Sequence, residues 1–174
     1  MKNKFIVIIF LLFACHEIVP RRPVNKMKST FISQSAKLNK NRLLIEQKLF
    51  QKVIKLDPKK DFLYSPMGFM YSILEKKENK TKPVKGDLVE IKYKIEDINK
   101  NLLYSEEELN NLVFLVDREE IIPALREGVK VLSVGETGIF LFPSYLCYGY
   151  QGDFEKIAPN QPLRITIKLL SLTK

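Results

Sequence analysis

The chain has 174 residues, of which 45% are hydrophobic, and a formal net charge of +9 at pH 7. This length suits one domain of about 100 residues plus an extension. Its two cysteines and single histidine lack the clustered spacing of a metal framework, so the sequence predicts neither a metal site nor a cofactor. The charge is uneven, because residues 15–82 carry 16 basic and 6 acidic residues and residues 83–174 carry 11 and 14.

Residues 1–14 have the pattern of an export signal, with two lysines followed by an apolar run. That run is too short to span a bilayer as a mature helix. Ala14 before Cys15 is similar to a bacterial lipobox, which predicts cleavage before Cys15 and lipid on its thiol. An ordinary signal peptide with an incidental cysteine is the alternative. Lipidation predicts a protein tethered to a membrane in the cell envelope and facing the periplasm.

Lipidation of Cys15 leaves Cys147 as the remaining thiol. A lone thiol in an oxidising compartment is usually buried and inert. The one histidine, His16, lies beside the predicted anchor, so Cys147 has no histidine to act as its base. The sequence therefore argues against nucleophilic catalysis.

Residues 15–28 are polar, contain two prolines and predict a tether. Residues 29–58 predict a basic amphipathic helix that begins at Ser29 or Ser33 and stops at Asp57-Pro58. Its apolar stripe consists of Ala36, Leu43, Ile45, Leu49, Phe50, Val53 and Leu56. Such a stripe must be covered by the chain's own domain, by a second copy in a homodimer, or by a client. A basic helix suggests nucleic acid, but the export signal argues against that partner.

Residues 62–174 predict a single domain rich in strands. The clearest strand covers residues 89–96, where apolar side chains alternate with charged ones. The other predicted strands are 68–74, 102–105, 112–116, 139–142 and 163–169. The predicted fold is α+β: an antiparallel half-barrel sheet of five or six strands wrapped on one short helix, preceded by the N-terminal amphipathic helix.

The stretch from Glu120 to Gly149 predicts one apolar concavity. Pro123 suits the first position of a short helix, which the apolar spacing carries to Leu132. A buried strand ends at Pro143, and an aromatic loop follows it. Helix and loop are expected to wall the concavity, with Ile122 and Leu125 on one side and Tyr148 on another.

An ordered set of residues over about ninety positions is similar to the FKBP family of peptidyl-prolyl cis/trans isomerases. The similarity covers a core of residues 85–172. It is carried by Gly128, Gly135-Glu136, Pro143, Tyr148-Gly149, Ile157, Pro159 and Leu163.

The resemblance implies that Tyr93, Ile122 and Tyr148 are catalytic, with the Ile122 N–H and the Tyr148 hydroxyl holding substrate carbonyls. It also implies that a proline pocket is lined by Leu103, Tyr104, Leu112, Ile121, Leu125, Ile157 and Ile165. Ordinary core packing is the alternative for each residue. The implied partners are proline-containing segments of exported client proteins.

Three departures from the family pattern bear on activity. Leu103-Tyr104 stands where active members have Phe-Asp, and Tyr104 cannot supply the charge of that Asp. Leu125 and Ile165 stand where the family often has tryptophan and phenylalanine. A pocket with fewer aromatic walls is expected to accept proline more loosely and to be less active.

Further segments resemble the gliding-motility-associated FKBP-type lipoproteins of Bacteroidota. Besides the lipobox and the basic helix, these are Arg21-Arg22-Pro23 and residues 104–108, 140–145, 149–150 and 152–153. This likeness implies a folding factor for exported proteins that is linked to gliding motility. Two alternatives remain: a chaperone or binding module with weak or no isomerase activity, and a fixed subunit of a motility complex.

Overall fold

The computed structural model describes residues 26–77 and 81–174. The predicted signal peptide, Cys15 and most of the tether therefore lie outside the described residues. The chain divides into two compact units, residues 1–38 and 39–174. Within the described ranges, no helix combines the length and the apolar character that crossing a membrane requires.

Helix α1 spans Lys26–Leu56 and so begins earlier than the predicted Ser29. It ends at the predicted place, since Asp57 follows it and the ring of Pro58 provides no N–H to continue the hydrogen-bond ladder.

The part of α1 that belongs to the 39–174 unit is only partly covered by that unit. Phe50 and Glu46 are buried, with 1% and 3% of their surface exposed. Ile45 and Leu56, from the predicted apolar stripe, stay 60% and 76% exposed. The domain therefore covers one edge of the stripe and leaves the rest in solvent.

A single antiparallel sheet of seven strands forms the body of the 39–174 unit, in the order β1-β2-β6-β7-β3-β4, with β5 also paired to β3. The strands are β1 (Leu63–Tyr64), β2 (Met70–Glu75), β3 (Leu88–Asp97), β4 (Leu102–Tyr104), β5 (Leu112–Leu115), β6 (Thr137–Phe142) and β7 (Leu163–Thr173). The prediction of five or six strands missed β1, because two residues at a sheet edge are too short to show an alternating pattern.

Two short helices and one 3-10 turn complete the unit: α2 (Glu106–Leu109), α3 (Pro123–Val129) and the turn Ser144–Leu146. Ser105 and Glu108 close the start of α2 with a reciprocal capping box. Helix α3 starts at Pro123 as predicted but ends at Val129, short of Leu132. Leu132 is fully buried outside the helix, so its apolar character reflects the core and not a further helical turn.

The core lies between the concave face of the sheet and α3. Val89, Ile91 and Ile95 of β3 are fully buried, as the alternation predicts. Helix α3 approaches the sheet closely at Gly128, where an added Cβ would lie 2.9 Å from the Ile167 side chain of β7. A side chain at position 128 would therefore keep α3 from packing this closely on the sheet.

Candidate active site

The structure brings all ten predicted pocket residues into one apolar cluster. Leu125, Ile157 and Ile165 are buried members of that cluster. The others are partly buried and pack against it: Tyr93, Leu103, Tyr104, Leu112, Ile121, Ile122 and Tyr148. These ten residues come from β3, β4, β5, α3, β7 and the loops around them, and we call them the pocket cluster.

The start of α3 positions two residues of the pocket cluster. Ile122 is the residue before the helix and has an extended backbone, with φ −56° and ψ 134°. Pro123 follows at the first helical position, where its fixed φ suits the helix and its missing N–H costs nothing. Leu125 then points into the core with 2% of its surface exposed.

Both donors that the resemblance assigns to substrate carbonyls have no acceptor in the described part of the protein. These are the backbone N–H of Ile122 and the hydroxyl of Tyr148. No side-chain polar atom in the described ranges is both buried and without a partner, so the Tyr148 hydroxyl is open to solvent or to a ligand. The pocket cluster thus offers these two donors, and among the described residues the Tyr93 hydroxyl also lacks an acceptor.

Burial shapes the ionisation of the groups near these donors. The pKa of Tyr148 is raised to about 12, first by burial and then by the neighbouring Tyr93 and Asp153. Burial also raises the pKa of Tyr93. Both phenols are therefore protonated at neutral pH and can act only as neutral hydrogen-bonding groups.

The neighbouring thiol and the acidic side chains show no sign of covalent or metal chemistry. Cys147 is buried, and burial raises the pKa of its thiol, which keeps the thiol unreactive. Among residues 26–77 and 81–174, no group of three or more His, Cys, Asp or Glu side chains is placed to hold a metal ion. What the site offers is shape, apolar surface and hydrogen bonds.

Residues 79–170 match the family model for FKBP-type peptidyl-prolyl cis-trans isomerases, which is more than half of the chain. The chain belongs to this family.

A curated relative shows the same similarity in sequence. The chain is 31% identical over 105 residues to a probable FKBP-type peptidyl-prolyl cis-trans isomerase FkpA of Neisseria meningitidis serogroup B. The matched region covers 60% of this chain and 38% of the relative. The chain thus spans well under half of that relative's length.

Two crystal structures show the same fold. FkpA from Escherichia coli matches with a TM-score of 0.61 and 24% identity, over 99% of this chain and 82% of that one. A peptidyl-prolyl cis-trans isomerase from Pseudomonas syringae pv. tomato matches with a TM-score of 0.63 and 18% identity, over 78% and 96%.

Tyr104 stands where the family resemblance expects an acidic residue, and its hydroxyl lies beside two carboxylates. The Tyr104 hydroxyl donates to Asp153 Oδ2 at 2.5 Å and lies 3.4 Å from Glu155 Oε2. Sequence reasoning placed Asp153 in a segment of family likeness but gave it no role at the site. Because Tyr104 and Asp153 are 49 residues apart, no local pattern joins them.

A second carboxylate that the sequence did not single out fastens the FKBP-type loop that carries Tyr148. Glu46 of α1 accepts hydrogen bonds from the Ser144 hydroxyl at 2.6 Å and from the Ser144 N–H at 3.1 Å. Ser144 opens the 3-10 turn that leads to Cys147 and Tyr148. In the sequence, Glu46 is only a glutamate beside the apolar stripe of the predicted helix. That position does not indicate which residue it contacts.

Proposed function

We propose that this chain is a membrane-anchored peptidyl-prolyl cis/trans isomerase that faces the periplasm and assists the folding of exported proteins. Family membership supports the reaction. The observation that carries it is the pair of donors, the Ile122 N–H and the Tyr148 hydroxyl, which have no acceptor in the described part of the protein and lie on the apolar pocket cluster.

The reaction needs no covalent intermediate. Rotation about a peptide bond has a barrier of about 18–20 kcal/mol, and an X–Pro bond takes tens to hundreds of seconds to rotate unaided. The barrier is high because the planar amide has resonance that the twisted amide lacks. The twisted amide is also less polar, so an apolar pocket that excludes water favours it over the planar form.

The pocket cluster supplies each part of this stabilisation. The substrate proline lies against the partly buried Leu112, Ile121 and Ile122, which pack on the same apolar cluster as the buried Leu125, Ile157 and Ile165. The Ile122 N–H and the Tyr148 hydroxyl donate to substrate carbonyl oxygens and hold the chain on each side of the rotating bond. No bond is broken and no proton is transferred, which fits a site whose phenols stay protonated.

The test compares two reactions: isomerisation of a short proline peptide and refolding of a protein whose slow step is proline isomerisation. Tyr148→Phe removes one hydroxyl and keeps the ring, so kcat/KM should fall about tenfold in both reactions. Tyr150→Phe is the matched control, since Tyr150 lies in the same loop and is 75% exposed. If the wild-type chain accelerates neither reaction, the proposed activity is wrong.

The membrane anchor is a second part of this proposal. Its support is the export signal that ends at Ala14-Cys15, and these residues lie outside the described ranges. Mass spectrometry of the protein purified from membranes should find an acylated N-terminal Cys15, and Cys15→Ser should release the protein in soluble form. Recovery of an unmodified Cys15 in the mature protein would contradict the anchor.

A link to gliding motility is the most specific part of the proposal. Its support is the likeness to the motility-associated FKBP-type lipoproteins. Deleting the gene in a gliding host should slow colony spreading. Restoring the wild-type chain should recover spreading, and restoring Tyr148→Phe should recover it only in part. Full recovery with the Tyr148→Phe chain would show that spreading depends on binding or structure and not on the isomerase site.

The alternative function is a chaperone or binding module with weak or no isomerase activity. Two observations favour it: Tyr104 replaces the family's acidic residue, and Ile45 and Leu56 of α1 leave apolar surface exposed. In the same assays, suppression of aggregation without any acceleration of isomerisation would select this alternative.

A further inference from the structure

Asp153 contacts the pocket cluster, and its two carboxylate oxygens have different hydrogen-bond partners. Oδ1 accepts hydrogen bonds from the backbone N–H of Glu155 at 2.9 Å and of Ile157 at 2.8 Å. The Asp153 N–H also donates to the Ile157 carbonyl at 3.2 Å. The carboxylate thereby closes the loop of residues 153–157 on itself and sets where Ile157 enters the pocket.

Oδ2 of Asp153 binds a side chain of strand β4. It accepts the Tyr104 hydroxyl of β4 at 2.5 Å, as a charge-assisted hydrogen bond. One carboxylate therefore connects β4, which carries Leu103 and Tyr104, to the loop that carries Ile157. The two walls cannot move apart without breaking this bond.

A second contact joins the same two walls through Lys156. Its Nζ lies 4.5 Å from the centroid of the Tyr104 ring and binds Glu108 Oε1 of α2 at 2.6 Å. The cation covers the ring of Tyr104 while Asp153 holds its hydroxyl. The 153–157 loop thus contacts Tyr104 twice, at its hydroxyl through Asp153 and at its ring through Lys156.

The charge of Asp153 also reaches the proposed donor Tyr148. The pKa of Tyr148 is raised to about 12 by burial, by Tyr93 and then by Asp153, in that order. Hydrogen bonds from Tyr104 and from the loop backbone lower the pKa of the Asp153 carboxyl although its partial burial opposes this, so the charge is present at neutral pH. Asp153 therefore favours the protonated phenol that donates to substrate.

We propose that Asp153 is a positioning residue of the isomerase site, where Tyr104 holds its carboxylate between β4 and the 153–157 loop. It supplies from this loop the negative charge that the family resemblance places on β4. The inference rests on the proposed function, because it assigns a role within the same pocket.

The central test is Tyr104→Asp, measured in protein purified from bacteria that express the whole chain. If this chain had merely lost the family's acid, Tyr104→Asp would raise kcat/KM. Our inference expects the opposite, a loss of about tenfold, because an Asp side chain is too short to reach Asp153 and the bond between β4 and the loop is lost. Adding Asp153→Asn to Tyr104→Asp should change kcat/KM by less than about twofold, because the bond that both positions share is already broken.

Single variants separate positioning from general stability. Asp153→Asn should lower kcat about tenfold and change KM by no more than about twofold, because it disturbs how the twisted amide is held more than how the peptide binds. Glu155→Gln is the matched control in the same loop, with its carboxylate 3.4 Å from the Tyr104 hydroxyl, and should change both constants by less than about twofold. If Asp153→Asn fails to fold, Tyr104→Phe removes the same bond without touching the loop and serves instead.

Failure of this inference is distinguishable from failure of the proposed function. Equal kcat values for Asp153→Asn, Tyr104→Phe and an active wild type overturn the inference, as does a gain of activity in Tyr104→Asp. If the wild type does not accelerate isomerisation, the proposed activity fails. The inference then fails with it, whereas an active wild type with unaffected variants overturns the inference alone.

Discussion

Two carboxylates hold two different walls of the pocket region, and they differ in depth. Glu46 is 3% exposed and fastens Ser144 with two hydrogen bonds, whereas Asp153 is half-buried and fastens Tyr104. Each joins segments that are far apart in the chain, 98 residues in the first case and 49 in the second. Each also lies close to the loop that carries Tyr148.

The difference in depth decides which property each carboxylate controls. Water cannot replace Glu46, so its loss leaves buried donors without acceptors and lowers the free energy of unfolding. Water can reach the rim where Asp153 lies and replace part of its bonding. A change at Asp153 is therefore expected to alter the geometry and rate of the site more than the stability of the fold.

The largest expected effect on stability is that of Glu46→Ala. It leaves the N–H and the hydroxyl of Ser144 buried without an acceptor, which should lower the free energy of unfolding by about 3 kcal/mol. Urea denaturation measures this loss. Glu46→Gln is the control, because its amide oxygen still accepts one bond and its loss should be smaller.

The rate at which the Cys147 thiol is labelled provides a local test of the contact between Glu46 and Ser144. Cys147 is buried, with 8% of its surface exposed, and its N–H donates to the Ser144 carbonyl at 3.1 Å. In a chain that carries Cys15→Ser, labelling of Cys147 by a thiol reagent should be slow and should become faster with Glu46→Ala. A labelling rate that does not change would mean that Glu46 does not hold this turn closed.

The next effect comes from two glycines within the loop between β6 and β7. Gly152 has φ +72°, and a Cβ there would lie 2.3 Å from the Ile157 carbonyl oxygen. Gly149 has φ +59°, and a Cβ there would meet nothing within 4 Å. Gly152→Ala should therefore cost about 3 kcal/mol, from backbone strain plus overpacking, and Gly149→Ala about 1 kcal/mol, from strain alone.

The two alanine variants also test whether the position of the 153–157 loop affects kcat. Because Gly152→Ala pushes against the backbone of Ile157, it should lower kcat as well as the denaturation midpoint. Gly149→Ala should leave kcat closer to that of the wild type. Equal losses from both variants would show that the close approach at Gly152 does not set the loop.

The smallest expected effect is a loss of stability at alkaline pH. The pKa of Tyr148 in the folded protein is about 12, above the value near 10 of an unfolded tyrosine, so folding favours the protonated phenol. This contribution is complete below about pH 10 and is lost as the pH rises toward about 12. Denaturation at several pH values should therefore show a smaller alkaline loss for Tyr148→Phe than for the wild type, and parallel curves would contradict the burial of this phenol.

The elements that the sequence predicted well are those with a strong local signal. Strand β3 shows strict alternation of apolar and charged residues, and its buried face is the predicted one. Pro123 marks the start of α3 because its backbone suits that position alone in a helix. The end of α3 was predicted too late, at Leu132, because a buried residue after a helix looks like one more residue of its apolar face.

By itself, the sequence determined the antiparallel α+β fold and the family, since alternation, prolines and glycines act over a few neighbouring residues. Only the tertiary structure decided that Tyr104 is bonded to Asp153, that Glu46 lies beneath the turn before Tyr148, and that the Ile122 N–H and the Tyr148 hydroxyl have no acceptor in the described residues. The physical reason is the same in each case. A hydrogen bond between distant segments depends on where the whole backbone brings them, and neither partner carries a local pattern that names the other.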